Sequence, residues 1–137
     1  MKFIEPSHVV SGVSKQSICC MKWVSDKDII VGGEDHAIKL VNIESDSPVI
    51  SSLPTAYRVT TAIDSVDNYV LSGHPDASIH LFDLRTAAAV RHFMGHTKYV
   101  SQVKFSPATS NLFVSSCYDG TVKLWDLRSD VPLNTMN

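Results

Sequence analysis

The sequence lacks the features that mark membrane, secreted and fibrous proteins. Its 137 residues contain no apolar run near the roughly 20 residues of a transmembrane helix. Glu5 and Pro6 interrupt the apolar start that a signal peptide requires. Six glycines and six prolines are too few for a collagen-like or low-complexity chain. With 44% apolar residues, the chain can build the core of about one domain.

Net charge and cysteine content are also low. The net charge of −2 includes no basic excess of the kind that a general nucleic-acid binder carries. Three cysteines, with Cys19 and Cys20 adjacent, cannot form a paired disulfide framework. This indicates a reducing, intracellular compartment. We expect these two residues and Cys117 to be small buried residues on strands.

Motifs of catalysis and of metal binding are missing as well. There is no glycine-rich phosphate loop, no dinucleotide fingerprint and no nucleophile elbow. The six histidines have no metal-ligand spacing. Asp64 and Asp67 flank Ser65, but residues 65–68 are typical of a turn between strands. We therefore expect no enzyme, no catalytic residue, no metal, no cofactor and no small-molecule substrate.

The sequence does contain a threefold repeat. Three aspartates recur at intervals of 41 and 43 residues, and each precedes a large apolar residue by six positions. The aspartates are Asp35, Asp76 and Asp119, and the apolar residues are Val41, Phe82 and Trp125. A period of 40–45 residues is typical of four-stranded propeller blades.

Each repeat is predicted to hold four short strands, and no helical period is present. The predicted blades are residues 18–53, 59–93 and 100–134. Their first strands are predicted at 18–23, 59–63 and 100–105, and their fourth strands at 48–53, 89–93 and 131–135. Asp119-Gly120 is a strong hairpin signal because glycine tolerates positive φ. In the N-terminal segment, residues 1–17, Phe3-Ile4 and Val9-Val10 could pair as an edge strand.

Gly95-His96 and Trp125-Asp126 bracket the third repeat, and with them the sequence resembles the WD-repeat (WD40) β-propeller family over roughly residues 18–135. The resemblance implies an all-β fold of about three four-stranded antiparallel blades. It also implies a hydrogen-bonded tetrad, which is complete only in the third blade. There the tetrad is His96, Ser115, Asp119 and Trp125. The earlier blades keep degenerate positions at Asp35, Ser72, Asp76 and Phe82.

Three blades are fewer than the four to eight that close a propeller ring. Each blade buries its faces only against neighbouring blades. We therefore expect an open arc, either as a fragment of a longer protein or closing by self-association through its open edges.

Loop residues are the candidates for partner binding, because a rigid scaffold presents its contacts there. Aromatic residues and arginine are favoured interface anchors. The candidates are Tyr57, Arg58, Lys98, Tyr99, Tyr118, Arg85 and Arg128. The alternative is structural: the tyrosines cap sheet edges, and Arg85 and Arg128 bind the aspartate two residues before them.

Two resemblances imply different roles for a non-enzymatic protein–protein interaction scaffold. The order of motifs that ends in residues 118–129 is similar to the late blades of the Ytm-type WD-repeat family. This similarity implies large-subunit ribosome biogenesis in the nucleus and nucleolus, with a WD-repeat or pre-ribosomal protein as partner, indirect contact with ribosomal RNA and no membrane. Residues 113–128 also resemble the docking box of substrate receptors of cullin-type ubiquitin ligases, except at Cys117. That role, or a generic WD-repeat scaffold, and a cytoplasmic location are the alternatives.

Overall fold

A computed structural model describes residues 6–56 and 58–137, which form an all-β structure. These residues contain no helix, and hence none that could cross a membrane. They form three four-stranded antiparallel sheets that do not close into a ring, which confirms the predicted fold class. In each sheet the strands lie side by side in chain order.

The twelve strands of the described residues are short and evenly distributed. The first sheet contains β1 (Ile18–Trp23), β2 (Asp28–Gly33), β3 (Ala37–Asn42) and β4 (Val49–Pro54). The second contains β5 (Ala62–Val66), β6 (Tyr69–Gly73), β7 (Ile79–Asp83) and β8 (Ala88–Phe93). The third contains β9 (Val100–Phe105), β10 (Leu112–Cys117), β11 (Val122–Asp126) and β12 (Asn134–Met136).

Some strand limits differ from the sequence predictions. The first strand of the second sheet begins at Ala62 rather than at position 59, because the preceding connection bonds across sheets, with the Thr60 N–H donating to the Gly33 carbonyl at 3.0 Å. Pro132 cannot donate to a ladder, and β12 begins only after it. The predicted turn at 65–68 is shorter, since β5 continues through Val66.

The described part of the N-terminal segment, residues 6–17, packs on the first sheet without forming a strand. Val9 and Val10 lie outside any strand, so the edge strand expected there is not found, and Phe3-Ile4 lie outside the described residues. Instead, Val10 and Val13 pack against β2 and β3. Apolar contact with the first sheet therefore replaces the main-chain pairing that was expected for this segment.

The core lies between the sheets, because alternate side chains of each strand point to opposite faces. Between the first and second sheets it consists of Ile30, Ile38, Leu53, Ile63, Val70 and Phe82. Between the second and third sheets it includes Leu71, Ile79, Phe93, Val103, Phe113 and Trp125. The second sheet is thus covered on both faces, which explains why β6 is an almost uninterrupted buried run.

The antiparallel order sorts the loops onto two edges. The β2–β3, β6–β7 and β10–β11 turns lie at the same end as the connections between sheets, residues 55–61 and 94–99. We call this end the top edge. The β3–β4, β7–β8 and β11–β12 loops lie at the opposite end, which we call the bottom edge.

All three β2–β3-type turns use the left-handed backbone conformation at one equivalent position. It holds His36 at φ 65°, Ala77 at φ 73° and Gly120 at φ 85°. The Asp-Gly signal in the third repeat therefore describes a geometry that the other two repeats adopt with strained residues.

Exchanging glycine and alanine at this position is expected to change stability in opposite directions. Gly120→Ala should lower the free energy of unfolding by about 1 kcal/mol, because the left-handed conformation costs a residue with a Cβ about that much. No atom lies within 4 Å of a Cβ built at this position, so backbone strain is the only cost. Ala77→Gly should be neutral or stabilising by up to about 1 kcal/mol. Urea unfolding measures both, and an unchanged midpoint for Gly120→Ala would contradict the assignment.

Candidate functional site

A chain of hydrogen bonds in the third sheet joins the four expected tetrad residues. The indole N–H of Trp125 donates to Ser115 Oγ at 2.8 Å, and that oxygen lies 2.6 Å from His96 Nε2. His96 Nδ1 lies 3.2 Å from Asp119 Oδ2. Because the ionised carboxylate of Asp119 only accepts, Nδ1 carries the proton, and Nε2 of the neutral ring accepts the hydrogen of the serine hydroxyl. The network therefore assigns a neutral imidazole that carries its proton on Nδ1 and donates it to the carboxylate.

Asp119 ties two parts of the top edge together. Its Oδ1 accepts from the Thr121 N–H at 2.9 Å, and its Oδ2 accepts from the Thr97 N–H at 3.3 Å. Desolvation acts to raise the pKa of Asp119, but the hydrogen bonds from Thr121 and His96 outweigh it and hold this pKa well below its usual range. Burial lowers the pKa of His96. A Cβ at Gly95 would lie 3.0 Å from the Trp125 ring, which explains the glycine before the histidine.

The second sheet builds a comparable network from other residues. Ser72 Oγ lies 2.7 Å from His74 Nε2, and His74 Nδ1 lies 2.8 Å from the Val59 carbonyl oxygen. Unlike His96, His74 comes from the same sheet as its serine. Arg58 Nε donates to Asp76 Oδ2 at 2.9 Å and so takes the bond that a tetrad histidine would make. Hydrogen bonds from Ser78 and Arg58 outweigh desolvation and lower the pKa of Asp76 to about 2.

His74 is a residue that the sequence analysis did not assign to the network. It is fully buried, and its ring lies 5.2 Å from that of His80. Its place two residues after Ser72 is the only sequence signal, and in the third repeat Cys117 holds that place. Phe82 replaces the tryptophan and is buried against the first sheet.

The first sheet keeps the aspartate but changes its role. Asp35 forms an ion pair with Lys39, whose ammonium donates to the Val13 carbonyl at 2.7 Å. The other two strand positions hold Val31 and Val41, which pack on Val13. Apolar contact with the N-terminal segment therefore replaces the serine–tryptophan pair.

Asp64 links all three sheets through the innermost strands. It is 4% exposed; its Oδ2 accepts from the Phe105 N–H of β9 at 2.6 Å, and its Oδ1 lies 2.5 Å from Lys22 Nζ of β1. The same oxygen accepts from the Ser65 N–H at 2.9 Å. Sequence reasoning placed Asp64 beside a turn, because nothing local shows that its partners lie about 40 residues away on either side.

The cysteines differ in environment and in reactivity. Cys117 is buried, as expected, and its thiol donates to the Lys98 carbonyl at 3.2 Å. Burial and the neighbouring Cys19 raise the pKa of Cys20 to about 12, which keeps this thiol protonated. The expectation that Cys19 is buried is wrong: it is exposed, at the irregular register between Ile18 and Cys20 of β1.

One cluster within the described residues has the chemistry of metal ligands. His96, Cys117 and Asp119 each place a ligand atom within 4.8 Å of the others. In this structure the atoms bind one another or the main chain: Nδ1 binds the carboxylate and the thiol binds a carbonyl. A metal ion would have to displace both hydrogen bonds.

Four of the candidate partner-binding residues share the top edge. Arg58, Lys98, Tyr99 and Tyr118 all lie in its loops or at the strand starts beside them, and Tyr57 lies outside the described residues. The rings of Tyr99 and Tyr118 are stacked with centroids 4.7 Å apart and an interplanar angle of 14°. Tyr118 is 68% exposed. This edge therefore presents a preformed aromatic surface beside an exposed lysine.

Arg85 and Arg128 lie at the bottom edge, apart from the tyrosines. Arg85 donates from Nη2 to Asp83 at 3.0 Å, and Arg128 donates from Nη2 to Asp126 at 2.6 Å. The hydrogen bonds from Arg128 lower the pKa of Asp126 to about 2. Both guanidinium groups thus bind their own strand ends, as in the structural alternative.

The buried histidines predict a loss of stability in mild acid. Burial lowers the pKa of His74 and of His96, and burial together with the neighbouring His74 lowers the pKa of His80 to about 4, while the unfolded chain takes up protons near pH 6.5. Stability is therefore complete above pH 6.5 and is lost below it, by up to about 1.4 kcal/mol per pH unit for each such histidine. The urea midpoint of unfolding should fall as the pH is lowered from 7 to 5. A flat profile would contradict the network.

The comparisons with known proteins agree with this geometry. The family model "WD domain, G-beta repeat" matches residues 4–42 and 88–126. The crystal structure of the WD40 β-propeller domain of Doa1 matches with a TM-score of 0.78 at 24% identity, covering 90% of this chain and 41% of that one. The crystal structure of the designed Ika8 protein matches with a TM-score of 0.74 at 27% identity, covering 88% of this chain and 36% of that one.

The curated relatives carry a common description. A ribosome biogenesis protein WDR12 homolog of Drosophila mojavensis is 30% identical over 120 residues, which are 84% of this chain and 28% of the relative. Ribosome biogenesis protein YTM1 of Candida albicans is 32% identical over 118 residues, which are 80% of this chain and 25% of the relative. The chain thus spans about a quarter of the length of these relatives. With the family model matching more than half of its residues, the chain belongs to the WD40 repeat family.

Proposed function

We propose that the chain is part of a non-enzymatic WD-repeat scaffold that binds proteins during ribosome biogenesis, specifically in maturation of the large subunit in the nucleolus. The observation that carries the proposal is the set of curated relatives, which are named ribosome biogenesis proteins. The expected partner is a pre-ribosomal or WD-repeat protein, with indirect contact to ribosomal RNA.

The polar geometry supports a scaffold rather than an enzyme. In the third sheet, Ser115, His96 and Asp119 superficially combine a nucleophile, a base and an acid. However, the serine hydroxyl is already hydrogen-bonded to both Trp125 and His96, and all three side chains are largely buried. A catalytic serine needs an approachable oxygen beside its base. The network therefore acts to hold the top-edge loops in place.

The top edge is the proposed binding surface. Exposed aromatic residues and arginine dominate the energetics of protein interfaces. Tyr118 is exposed and is held by its stack on Tyr99 and by the bond from its N–H to the Tyr99 carbonyl at 2.9 Å. A partner gains from this arrangement because the tyrosine is already ordered before binding.

Affinity purification tests the proposal. A tagged full-length protein containing this chain should recover pre-ribosomal proteins and large-subunit precursor RNA from cells. Tyr118→Ala should reduce that recovery several-fold, because it removes the exposed half of the stack without touching the buried network. Circular dichroism and urea unfolding of the purified variant verify that it is folded.

Arg128→Ala is the matched control, since Arg128 lies at the bottom edge. It should leave recovery of pre-ribosomal proteins unchanged. The alternative role as a substrate receptor makes the opposite prediction for Arg128, because the residues that resemble the docking box of cullin-type ubiquitin ligases end at Arg128. Recovery of a cullin adaptor without pre-ribosomal proteins, lost on Arg128→Ala, would overturn the proposal.

A further inference from the structure

The three sheets can be compared position by position through their pairing registers. Ser72 pairs with Ile63, and Ser115 pairs with Val103, which makes Asp64 and Lys104 equivalent one position later. In the first sheet, Met21 pairs with Val31, which places Lys22 at the same position. At this register, the innermost strands of the first, second and third sheets hold Lys22, Asp64 and Lys104, respectively.

The first two sheets use this register to contact the next sheet. Lys22 Nζ donates to the Ser65 carbonyl at 2.7 Å and pairs with the Asp64 carboxylate. Asp64 Oδ2 in turn accepts from the Phe105 N–H, which is the main-chain position equivalent to that of Ser65. The same contact therefore occurs at both sheet boundaries. The side chain at this register binds a main-chain group of the next sheet, in the residue that directly follows the equivalent position there.

Lys104 has the corresponding place in the third sheet, but its side chain makes no hydrogen bond or ion pair within the described residues, and it is exposed. The apolar positions on the same face are also uncovered. Val114 is 38% and Val122 39% exposed, whereas their equivalents in the second sheet, Leu71 and Ile79, are 0% exposed. The outer strand repeats the contrast, since Met136 is 45% exposed whereas its equivalent Phe93 is 0% exposed. We call Lys104, Val114, Val122, Leu124 and Met136 the outer face.

We propose that the outer face docks a further blade-type sheet of the same polypeptide whose innermost strand carries a carboxylate at the register of Asp64. The carboxylate pairs with Lys104, and Lys104 donates to a main-chain carbonyl beside it, as Lys22 does with Asp64 and Ser65. The curated relatives are about three times as long as this chain, which leaves ample length for such a sheet.

Charge argues against a second copy of this chain as the occupant. Head-to-tail stacking would bring the first sheet of the copy against the outer face and place its Lys22 at the register that faces Lys104. Two ammonium groups would then meet where the boundary between the first and second sheets has the Lys22–Asp64 ion pair. Val10 and Val13 of the copy would also have to leave its β2 and β3.

A chain extended by one sheet tests the proposal. Residues 55–93, which hold the second sheet and its preceding connection, are appended after Asn137, so that the appended sheet brings its own Asp64. The urea midpoint should rise above that of the original chain, because a docked repeat adds an interface. Lys104→Met should remove a substantial part of this rise in the extended chain. It should leave the original chain unchanged, because residues 6–56 and 58–137 offer the Lys104 side chain no partner.

Charge reversal separates the ion pair from general packing. Lys104→Asp should lower the midpoint of the extended chain, and Asp64→Lys in the appended sheet should restore it. Appending residues 17–54 instead, which carry Lys22, should give a smaller rise that Lys22→Asp in the appended sheet enlarges. Three outcomes would overturn the proposal. The urea midpoint does not rise in the extended chain, its rise is unchanged by the Lys104 substitutions, or it rises more with the appended sheet that carries Lys22. None of these measurements involves a ribosomal partner, so they fail or succeed independently of the proposed function.

Discussion

Asp64→Ala is expected to lower the free energy of unfolding by about 3 kcal/mol, the scale of losing a buried, hydrogen-bonded charge. The substitution leaves the Phe105 and Ser65 N–H groups without their acceptor and removes the ionic partner of Lys22. The Lys22 side chain is 37% exposed and can turn to water, so most of the loss comes from the two main-chain donors. Urea unfolding followed by circular dichroism measures the difference.

Asp67→Asn provides the matched control for Asp64→Ala. Asp67 lies three residues later, is exposed, and has φ 52°, a conformation that asparagine tolerates well. Its substitution should change stability by less than about 0.5 kcal/mol. Lys22→Met should cost no more than about 1 kcal/mol, as expected for a partly exposed ion pair. If Asp64→Ala proved as mild as Asp67→Asn, the three-sheet link would carry no stability and the interpretation would be wrong.

Trp125→Ala should produce a loss of about 3–5 kcal/mol, the usual cost of removing a buried tryptophan. The ring is 0% exposed, stacks on Phe113 at 5.8 Å and donates to Ser115. Trp125→Phe keeps an aromatic ring and should cost less, but it also loses the bond to Ser115. The difference between the two variants separates packing from the polar network. Thermal and urea unfolding should rank the original chain first, then phenylalanine, then alanine.

Trp23→Ala is the control for Trp125, since Trp23 is the other tryptophan of the chain and is 59% exposed. It should change stability by less than about 0.5 kcal/mol. It also leaves Trp125 as the sole indole, whose emission should be blue-shifted in the folded protein and move red on unfolding. Red emission from the folded Trp23→Ala protein would show that Trp125 is not buried and would contradict the tetrad geometry.

The strands were predictable because their signals are local. A side-chain period of two and turn residues such as Asp119-Gly120 depend on a few neighbouring positions. The expected strands at 18–23 and 100–105 match β1 and β9. The largest departure is the N-terminal segment, where the described residues pack on the first sheet without pairing, because apolar burial satisfies Val10 and Val13 without a ladder.

The residue networks were predictable only where one repeat follows the family pattern. Gly95-His96 and Trp125-Asp126 pointed to four side chains that the structure joins by hydrogen bonds. In the second sheet, His74 and Arg58 make the corresponding hydrogen bonds to Ser72 and Asp76. No family motif marks them, because one follows its partner in the chain and the other precedes it.

The amino-acid sequence by itself determined the fold class, the number of sheets and the place of most strands, because each follows from short-range periodicity repeated three times. Only the tertiary structure decided which distant positions meet: that Asp64 joins Lys22 to the Phe105 main chain, that Tyr99 stacks on Tyr118, and that the Lys104 side chain has no partner among the described residues. The reason is physical. Contacts between sheets depend on relative register and involve main-chain groups, and every residue except proline carries the same main-chain donor and acceptor.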